Sequence, residues 1–272
     1  MPELPEVEIA RRNLVRWFDG HRITEAQADK SRVFRGTDPK AFESLKGRLE
    51  HAERKGKYLL LSFEGGRGLV AHLGMTGKFV RRARGYPEPY SRARFLLDSG
   101  EVIHYRDPRL FGRMELVESS GLRNVTAVKA LGLDALVDSP DAAALRDALG
   151  HLKVGIKVAL MDQGRIAGLG NIHAAEALFR AKIHPARKPS SLKPDDWKRL
   201  AQGIQQGLRF ALDRETSEEI EYVEEPGAPN PFLVYGRKGE RCRRCRTVIQ
   251  SFTQGGRTTF FCPNCQKKGR AP

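Results

Sequence analysis

The spacing of apolar residues divides the chain into stretches of different period. Near the N-terminus, Val7, Ala10, Leu14 and Trp17 recur on one helical face. Pro5 suits the first helical position there, and Glu6 and Glu8 favour the positive end of the helix dipole. From 21 to 117 the pattern turns to short strands. Tyr58-Leu59-Leu60-Leu61-Ser62-Phe63 is a continuous apolar run closed by Glu64-Gly65-Gly66, and Leu69-Val70-Ala71-His72-Leu73 follows it. Arg94-Phe95-Leu96-Leu97 and Glu101-Val102-Ile103-His104-Tyr105 flank Asp98-Ser99-Gly100 as a hairpin. Many short strands with glycine turns imply a sandwich or barrel. Residues 81–90 read as a loop.

From about 139 the helical period returns. Ser139 is placed to cap a helix with Pro140 at its first position, and further helices are expected near 155–162, 171–181 and 193–213. The stretch Gly-Arg-Ile-Ala-Gly-Leu-Gly-Asn at 164–171 joins two of them. A glycine turn ahead of a helix N-terminus presents free N–H groups that suit a phosphate. It equally describes an ordinary tight turn.

Composition narrows the classes. A length of 272 residues suits about two domains. No apolar run approaches the ~18 residues of a membrane span, and the acidic N-terminus is not a signal peptide. The net charge of +15 and a pI of about 9.9 call for a polyanionic partner, nucleic acid first and membrane surface second. Without a basic amphipathic helix or lipidation signal, a membrane is set aside. A merely soluble basic protein is the plainer alternative. The charge is unevenly spread. Residues 213–225 hold seven acids against one arginine, whereas 237–270 hold ten Lys/Arg against one glutamate. Arg257 sits at a turn, Gln254-Gly255-Gly256-Arg257, where an arginine can grip phosphates or simply face solvent.

The four cysteines fall as Cys242-x2-Cys245 and Cys262-x2-Cys265, sixteen residues apart. That is zinc-ribbon spacing, each pair giving two thiolates at one turn and the two pairs a tetrahedral site. No cysteine is left over for an open coordination position, so one structural Zn2+ is expected. Two disulfides are the alternative, and a chain without a signal peptide in a reducing cytosol favours metal.

The first residues, Met1-Pro2-Glu3-Leu4-Pro5-Glu6, hold the sharpest chemistry. If Met1 is removed, Pro2 begins the chain with a free secondary amine. A terminal amine titrates at ~7.7–8.0, so a usable fraction of it is neutral and nucleophilic near pH 7. Its adduct with an aldehyde carbon is a permanently cationic iminium, a strong electron sink. With Met1 in place the nitrogen is an inert amide. The bland reading is a helix start, and the helix is expected either way. A metal-dependent nuclease lacks support, since the seven histidines are scattered.

Taken together, these motifs resemble the formamidopyrimidine-DNA glycosylase and endonuclease VIII family of DNA repair enzymes. They are Met-Pro-Glu-Leu-Pro-Glu at 1–6, Lys-Gly-Lys-Tyr-Leu-Leu-Leu at 55–61, His-Leu-Gly-Met-Thr-Gly at 72–77, Asp-Pro-Arg-Leu-Phe-Gly at 107–112, Gly-Leu-Gly-Asn-Ile at 168–172, Val-Tyr-Gly-Arg-Lys-Gly at 234–239 and the cysteine ribbon. The resemblance is closer to the formamidopyrimidine branch. It implies an α+β multidomain fold: an N-terminal β-sandwich with a leading helix (1–130), a helix–two-turn–helix domain (131–230) and a zinc ribbon (231–272). It implies a bifunctional glycosylase and abasic-site lyase of base excision repair, working by β,δ-elimination. The rival is a non-enzymatic damaged-DNA-binding protein of the same descent.

On this resemblance Pro2 is the nucleophile, Glu3 the general acid and Glu6 a supporting carboxylate, while Lys57 contacts phosphate beside the lesion. Met75, Arg109 and Phe111 fill the gap left by an extruded base; a flexible thioether, a planar cation and an aromatic wedge suit that task. His72, Asn171 and Arg257 also match DNA-contacting positions, and Lys157 falls near one. The implied partner is double-stranded DNA with damaged bases or abasic sites. The protein is expected as a monomer in the bacterial cytoplasm, at the nucleoid. One region departs from the family. Where a glycine-rich segment leads into a lesion-covering loop, this chain reads Arg-Glu-Thr-Ser-Glu-Glu-Ile-Glu-Tyr at 214–222. Acids near a phosphate backbone are unfavourable, so the run is expected to point away from DNA or to meet a base edge. The departure leaves oxidised pyrimidines, formamidopyrimidines or a bulky adduct as candidates beside 8-oxoguanine.

Overall fold

In the computed structural model, which describes residues 2–34, 37–214, 218–223 and 225–268, the helix-spaced residues near the N-terminus form α1 (Leu4–Phe18). Met1, on whose removal the reactive-terminus reading depends, lies outside the described residues, as do 215–217 and 224 of the acidic run. Val7, Ala10, Leu14 and Trp17 are all buried, as their spacing predicts. The helix starts one residue earlier than expected. Glu3 is its N-cap and Pro5 its second residue, because the Glu6 side chain reaches back to close a capping box.

Eight strands follow: β1 (Ile23–Ala28), β2 (Leu49–Lys55), β3 (Tyr58–Phe63), β4 (Arg67–His72), β5 (Lys78–Ala83), β6 (Ser91–Leu97), β7 (Glu101–Arg106) and β8 (Arg113–Glu118). They build the β-sandwich from two four-stranded antiparallel sheets, ordered β1-β6-β7-β5 and β2-β3-β4-β8. The continuous apolar run of β3 is explained by burial on both sides. Phe63 meets Phe18 of α1 edge-on at 6.2 Å, while Leu60 packs with Val70, Leu122 and Val128. Phe18 also meets Phe95 of β6 at 6.3 Å, so α1 contributes to both sheets. Residues 81–83, read as loop, instead finish β5. Their ladder to β7 pairs Arg81 with Ile103 and Arg82 with Val102, and the outward guanidiniums find carboxylates.

Packing groups this sandwich, Met1–Lys129 including the short helix α2 (Thr126–Lys129), with Glu215–Pro226. A second compact unit holds Ala130–Arg214 and Gly227–Pro272. It contains β9 (Leu133–Asp134), α3 (Ala142–Leu149), α4 (Ile156–Leu160), β10 (Ile166–Ala167), α5 (Asn171–Arg180) and α6 (Pro194–Arg214). The ribbon hairpin β11 (Gln250–Gln254) and β12 (Arg257–Phe261) completes it. Asp141, not Ser139, caps α3: its carboxylate accepts from the Ala144 N–H at 2.8 Å. Ser139 has a left-handed φ of 43° and spends its hydroxyl on the Leu136 carbonyl.

The ribbon shares its core with α5. Ala175 and Phe179 pack against Val234, Cys242, Ile249 and Cys262. Glu176, on the same helix and 2% exposed, accepts from the backbone N–H groups of Leu233, Val234 and Tyr235 at 2.8–3.1 Å. Arg180 supplies the opposite charge at 3.4 Å. Removing a buried carboxylate strands both the N–H groups and the cation. Glu176→Ala should therefore destabilise this unit by about 3–5 kcal/mol. Thermal unfolding followed by circular dichroism checks it; a midpoint like that of the wild type would refute it.

Candidate active site and nucleic-acid interface

The candidate catalytic residues Pro2 and Glu3 are held at the start of α1. Pro2 and Glu3 are buried, Glu3 to 1% exposure, and the Glu3 N–H donates to Glu6 Oε2 at 2.8 Å. The capping box fixes the backbone on which Pro2 sits, and the helix presents its partially positive end to any negative charge formed there.

Glu8, one turn further on, ties α1 to the neighbouring hairpin. Its carboxylate takes Arg11 at 2.8 Å, Arg12 at 3.0 Å and the buried Arg54 of β2 at 3.3 Å. Burial would raise the Glu8 carboxyl, but these guanidiniums outweigh it and hold it below the usual carboxylate value. Arg54 also donates to the Gly56 carbonyl at 3.1 Å, immediately before Lys57 in the β2–β3 turn. Across the sheet, Tyr58 pairs with His72 of β4, their rings 4.8 Å apart. Burial, and then the Lys57 ammonium, push His72 down to about 4. The Gly74 N–H donates to His72 Nδ1 at 3.1 Å, so the neutral ring carries its proton on Nε2.

Two loops carry the gap-filling candidates. Met75 lies just beyond β4, and Arg109 and Phe111 lie between β7 and β8. Asp107, fully buried, knots them. It accepts from Thr76 Oγ1 at 2.8 Å, from the Gly112 N–H at 2.7 Å and from the Arg109 N–H at 3.3 Å. Gly74 permits the approach: its φ is 68°, and a Cβ there would fall 2.4 Å from the Phe111 carbonyl carbon. Phe111 is 48% exposed, with the Arg109 guanidinium 5.0 Å and that of Arg32 5.3 Å from its ring centre. An exposed aromatic propped between two cations is a preformed wedge. Arg32 also donates to the Arg109 and Leu110 carbonyls, which steadies the loop.

In the second unit, Asn171 opens α5, and Arg257 stands exposed at the ribbon tip. The tip turns through Gly255 and Gly256, whose φ values of 56° and 70° suit a two-residue hairpin turn. Lys157 is placed differently from the outward phosphate contact that its family position implies. It is 1% exposed, and its ammonium donates to Asn171 Oδ1 and, at 2.8 Å, to Thr259 Oγ1 of β12. The lysine joins α4, the start of α5 and the ribbon hairpin, and it holds the Asn171 amide oxygen.

The four Sγ atoms lie within 4.8 Å of one another and are not joined. Cys245–Cys262 at 3.4 Å and Cys242–Cys265 at 4.0 Å bracket the ~3.8 Å edge of a tetrahedron of sulfurs about 2.3 Å from zinc. Burial raises the Cys262 and Cys265 thiols, whereas hydrogen bonds from Thr247 and then Asn264 lower Cys245 to about 5; four sulfurs crowded this closely suit a shared cation.

Within each unit, buried polar residues tie these motifs to their neighbours. Sequence reading took Glu8 only as a helix-dipole residue and missed the orienting roles of Arg54, Asp107 and Thr259. Of these three, Asp107 alone carried a signal, as the first residue of Asp-Pro-Arg. For His72 the sign of pH dependence follows from its lowered value. Its contribution to stability is complete above the ordinary 6.5 and is lost as pH falls towards about 4, where the unfolded chain alone takes up the proton. An NMR titration should show a His72 ring that stays neutral through pH 6; a midpoint near 6.5 would contradict the burial argument.

Comparison with known proteins gives this arrangement a family. Residues 1–114 match the formamidopyrimidine-DNA glycosylase N-terminal domain, residues 131–221 its H2TH domain, and residues 239–268 the zinc finger found in FPG and IleRS. The formamidopyrimidine-DNA glycosylase of Gluconobacter oxydans is 38% identical over 277 residues, covering 98% of this chain and 100% of the relative. That of Desulfitobacterium hafniense is 38% identical over 273 residues with the same coverage. The Lactococcus lactis Fpg solved with DNA containing an abasic site superposes with a TM-score of 0.87 at 30% identity, over 98% of this chain and 100% of that one. The same enzyme with N7-benzyl-Fapy-dG DNA gives 0.88 at 31%, with the same coverage. On these matches, and with the buried Pro2-Glu3 terminus, the chain belongs to the formamidopyrimidine-DNA glycosylase family.

Proposed function

We propose that this protein is a bifunctional DNA glycosylase and abasic-site lyase of base excision repair, acting on oxidised or ring-opened bases through Pro2. The observation that carries the reading is the buried Pro2-Glu3 pair, fixed by the Glu6 capping box at the head of a helix anchored in the sandwich. Relatives solved with abasic-site and formamidopyrimidine DNA support the substrate class.

After Met1 is removed, the Pro2 amine attacks the sugar C1′ of the damaged nucleotide. Glu3 protonates the ring oxygen as the ring opens, and the base leaves. The cationic iminium acidifies the adjacent sugar carbon. Loss of that proton expels the phosphate on one side, and a second elimination expels the other. Lys57 meets phosphate beside the lesion, and neutral His72 donates from Nε2. Met75, Arg109 and Phe111 occupy the vacated stack, offsetting an unstacking cost of a few kcal/mol. Asn171 and Arg257 grip the backbone. A single zinc on Cys242, Cys245, Cys262 and Cys265 holds the ribbon; bound there, it supplies folding energy rather than chemistry. The protein works as a monomer in the bacterial cytoplasm, at the nucleoid.

Two experiments test this. Incubation of the Met-free protein with abasic-site DNA and borohydride should yield a covalent adduct. The adduct should vanish in Pro2→Gly with Met1 retained. No adduct with the wild type leaves only a damaged-DNA-binding protein. Arg257→Ala should weaken binding alike across lesions and lower the slope of log K against log salt by about one unit; a loss confined to one lesion would show base reading instead.

A further inference from the structure

The acidic segment after α6 is fastened to the sandwich. The Asn13 side chain donates to the Glu218 carbonyl at 3.1 Å, and Arg81 pairs with the Glu218 carboxylate at 3.1 Å. Arg82 pairs with Glu219. Lys78, 6% exposed, donates to the Ile220 carbonyl at 3.3 Å and to Glu225 Oε1 at 3.2 Å. Its ammonium lies 5.9 Å from the centre of the Tyr222 ring. Ile220 and Tyr222 are buried at 2% and 4% exposure. The Tyr222 hydroxyl donates to the Gly77 carbonyl at 2.6 Å, at the foot of the loop that carries Met75. Its phenol is held far above the ordinary value by burial first and then by Glu6, ahead of Tyr105, Glu225 and Asp107. One buried tyrosine therefore touches the Met75 loop and stands within the field of the carboxylate that braces Glu3.

The geometry points to a latch: the Lys78 cation, helped by Arg81 and Arg82, holds residues 218–223 and Glu225 so that Tyr222 fixes the Met75 loop. Tyr222 is a positioning residue for base excision. This rests on the glycosylase and lyase reading above. The two half-reactions need the latch unequally. Extruding a nucleotide that still carries its base requires the gap-filling loop in place, whereas an abasic sugar has no base to unstack and less to lose. Glu218, Glu219 and Glu225 thus have a task that does not oppose DNA: they are spent on β5 cations of their own unit.

The test compares single-turnover excision from a formamidopyrimidine duplex with strand cleavage at a preformed abasic site, using the full Met-free chain. Hydrogen exchange over 218–223 is read in parallel. Lys78→Met and Tyr222→Phe should each slow excision about tenfold while abasic cleavage stays within about twofold. Lys78→Arg, which keeps the cation, should restore excision. Exchange at 218–223 should quicken in Lys78→Met and stay slow in Lys78→Arg. Equal losses in both reactions, or unchanged exchange in Lys78→Met, would overturn the latch. A wild type without abasic cleavage would sink the glycosylase and lyase reading alone, and exchange would then decide the latch by itself.

Discussion

The structure of the reactive end depends on one buried ion pair, Glu8 with Arg54. A terminal amine is useful only if its position is fixed, and the first residues of a chain are ordinarily the least fixed. Here Glu8 lies one turn into α1, and Arg54 reaches it from β2 with its side chain 1% exposed. The same guanidinium holds the Gly56 carbonyl, so the start of α1 and the Lys57 turn are set by one group. Breaking such a pair from one side leaves a buried charge, at a cost of about 3–5 kcal/mol, which makes the joint rigid. The Glu6 capping box then carries that rigidity two residues further, to Pro2.

The same device recurs wherever an exposed group must be aimed. Asp107 is fully buried, and it spends its carboxylate on Thr76 and on two backbone N–H groups around Phe111. Lys157 is buried and spends its ammonium on Asn171 and Thr259. In each case a buried charged side chain fixes a neighbouring loop or side chain by several hydrogen bonds. A low-dielectric setting strengthens these links and penalises any arrangement that leaves them unmade. Such anchoring explains how a wedge such as Phe111 can be half exposed and still hold its place.

Charge is organised on the same principle. A net charge of +15 draws the chain to a polyanion, yet seven acids stand together at 213–225. Read in one dimension they oppose that attraction. In the folded unit Glu218, Glu219 and Glu225 meet Arg81, Arg82 and Lys78. These three acids face cations of β5, so this part of the run is tied to the sandwich.

Much of the protein was legible in its sequence. Helical spacing of Val7, Ala10, Leu14 and Trp17 gave α1 its buried face, since an apolar stripe can be buried only one way. Two CxxC pairs carried the ribbon, because ligand spacing is a local property. The run Tyr58–Phe63 showed a strand but not that both of its faces are covered, which depends on residues as distant as Leu122 and Val128. Ser139 was misread as a cap because Asp141 was equally suited, and only the backbone turn at Ser139 chose between them. The tertiary partners of Glu8, Arg54, Lys78 and Tyr222 carried no signal. Each is an ordinary residue until folding brings it to a partner 46 to 147 positions away. The sequence by itself determined which groups are candidates for chemistry and which elements bear them, because those follow from residue type and local period. Tertiary structure alone decided what aims them, because buried charges act on whatever the fold places within a few ångströms.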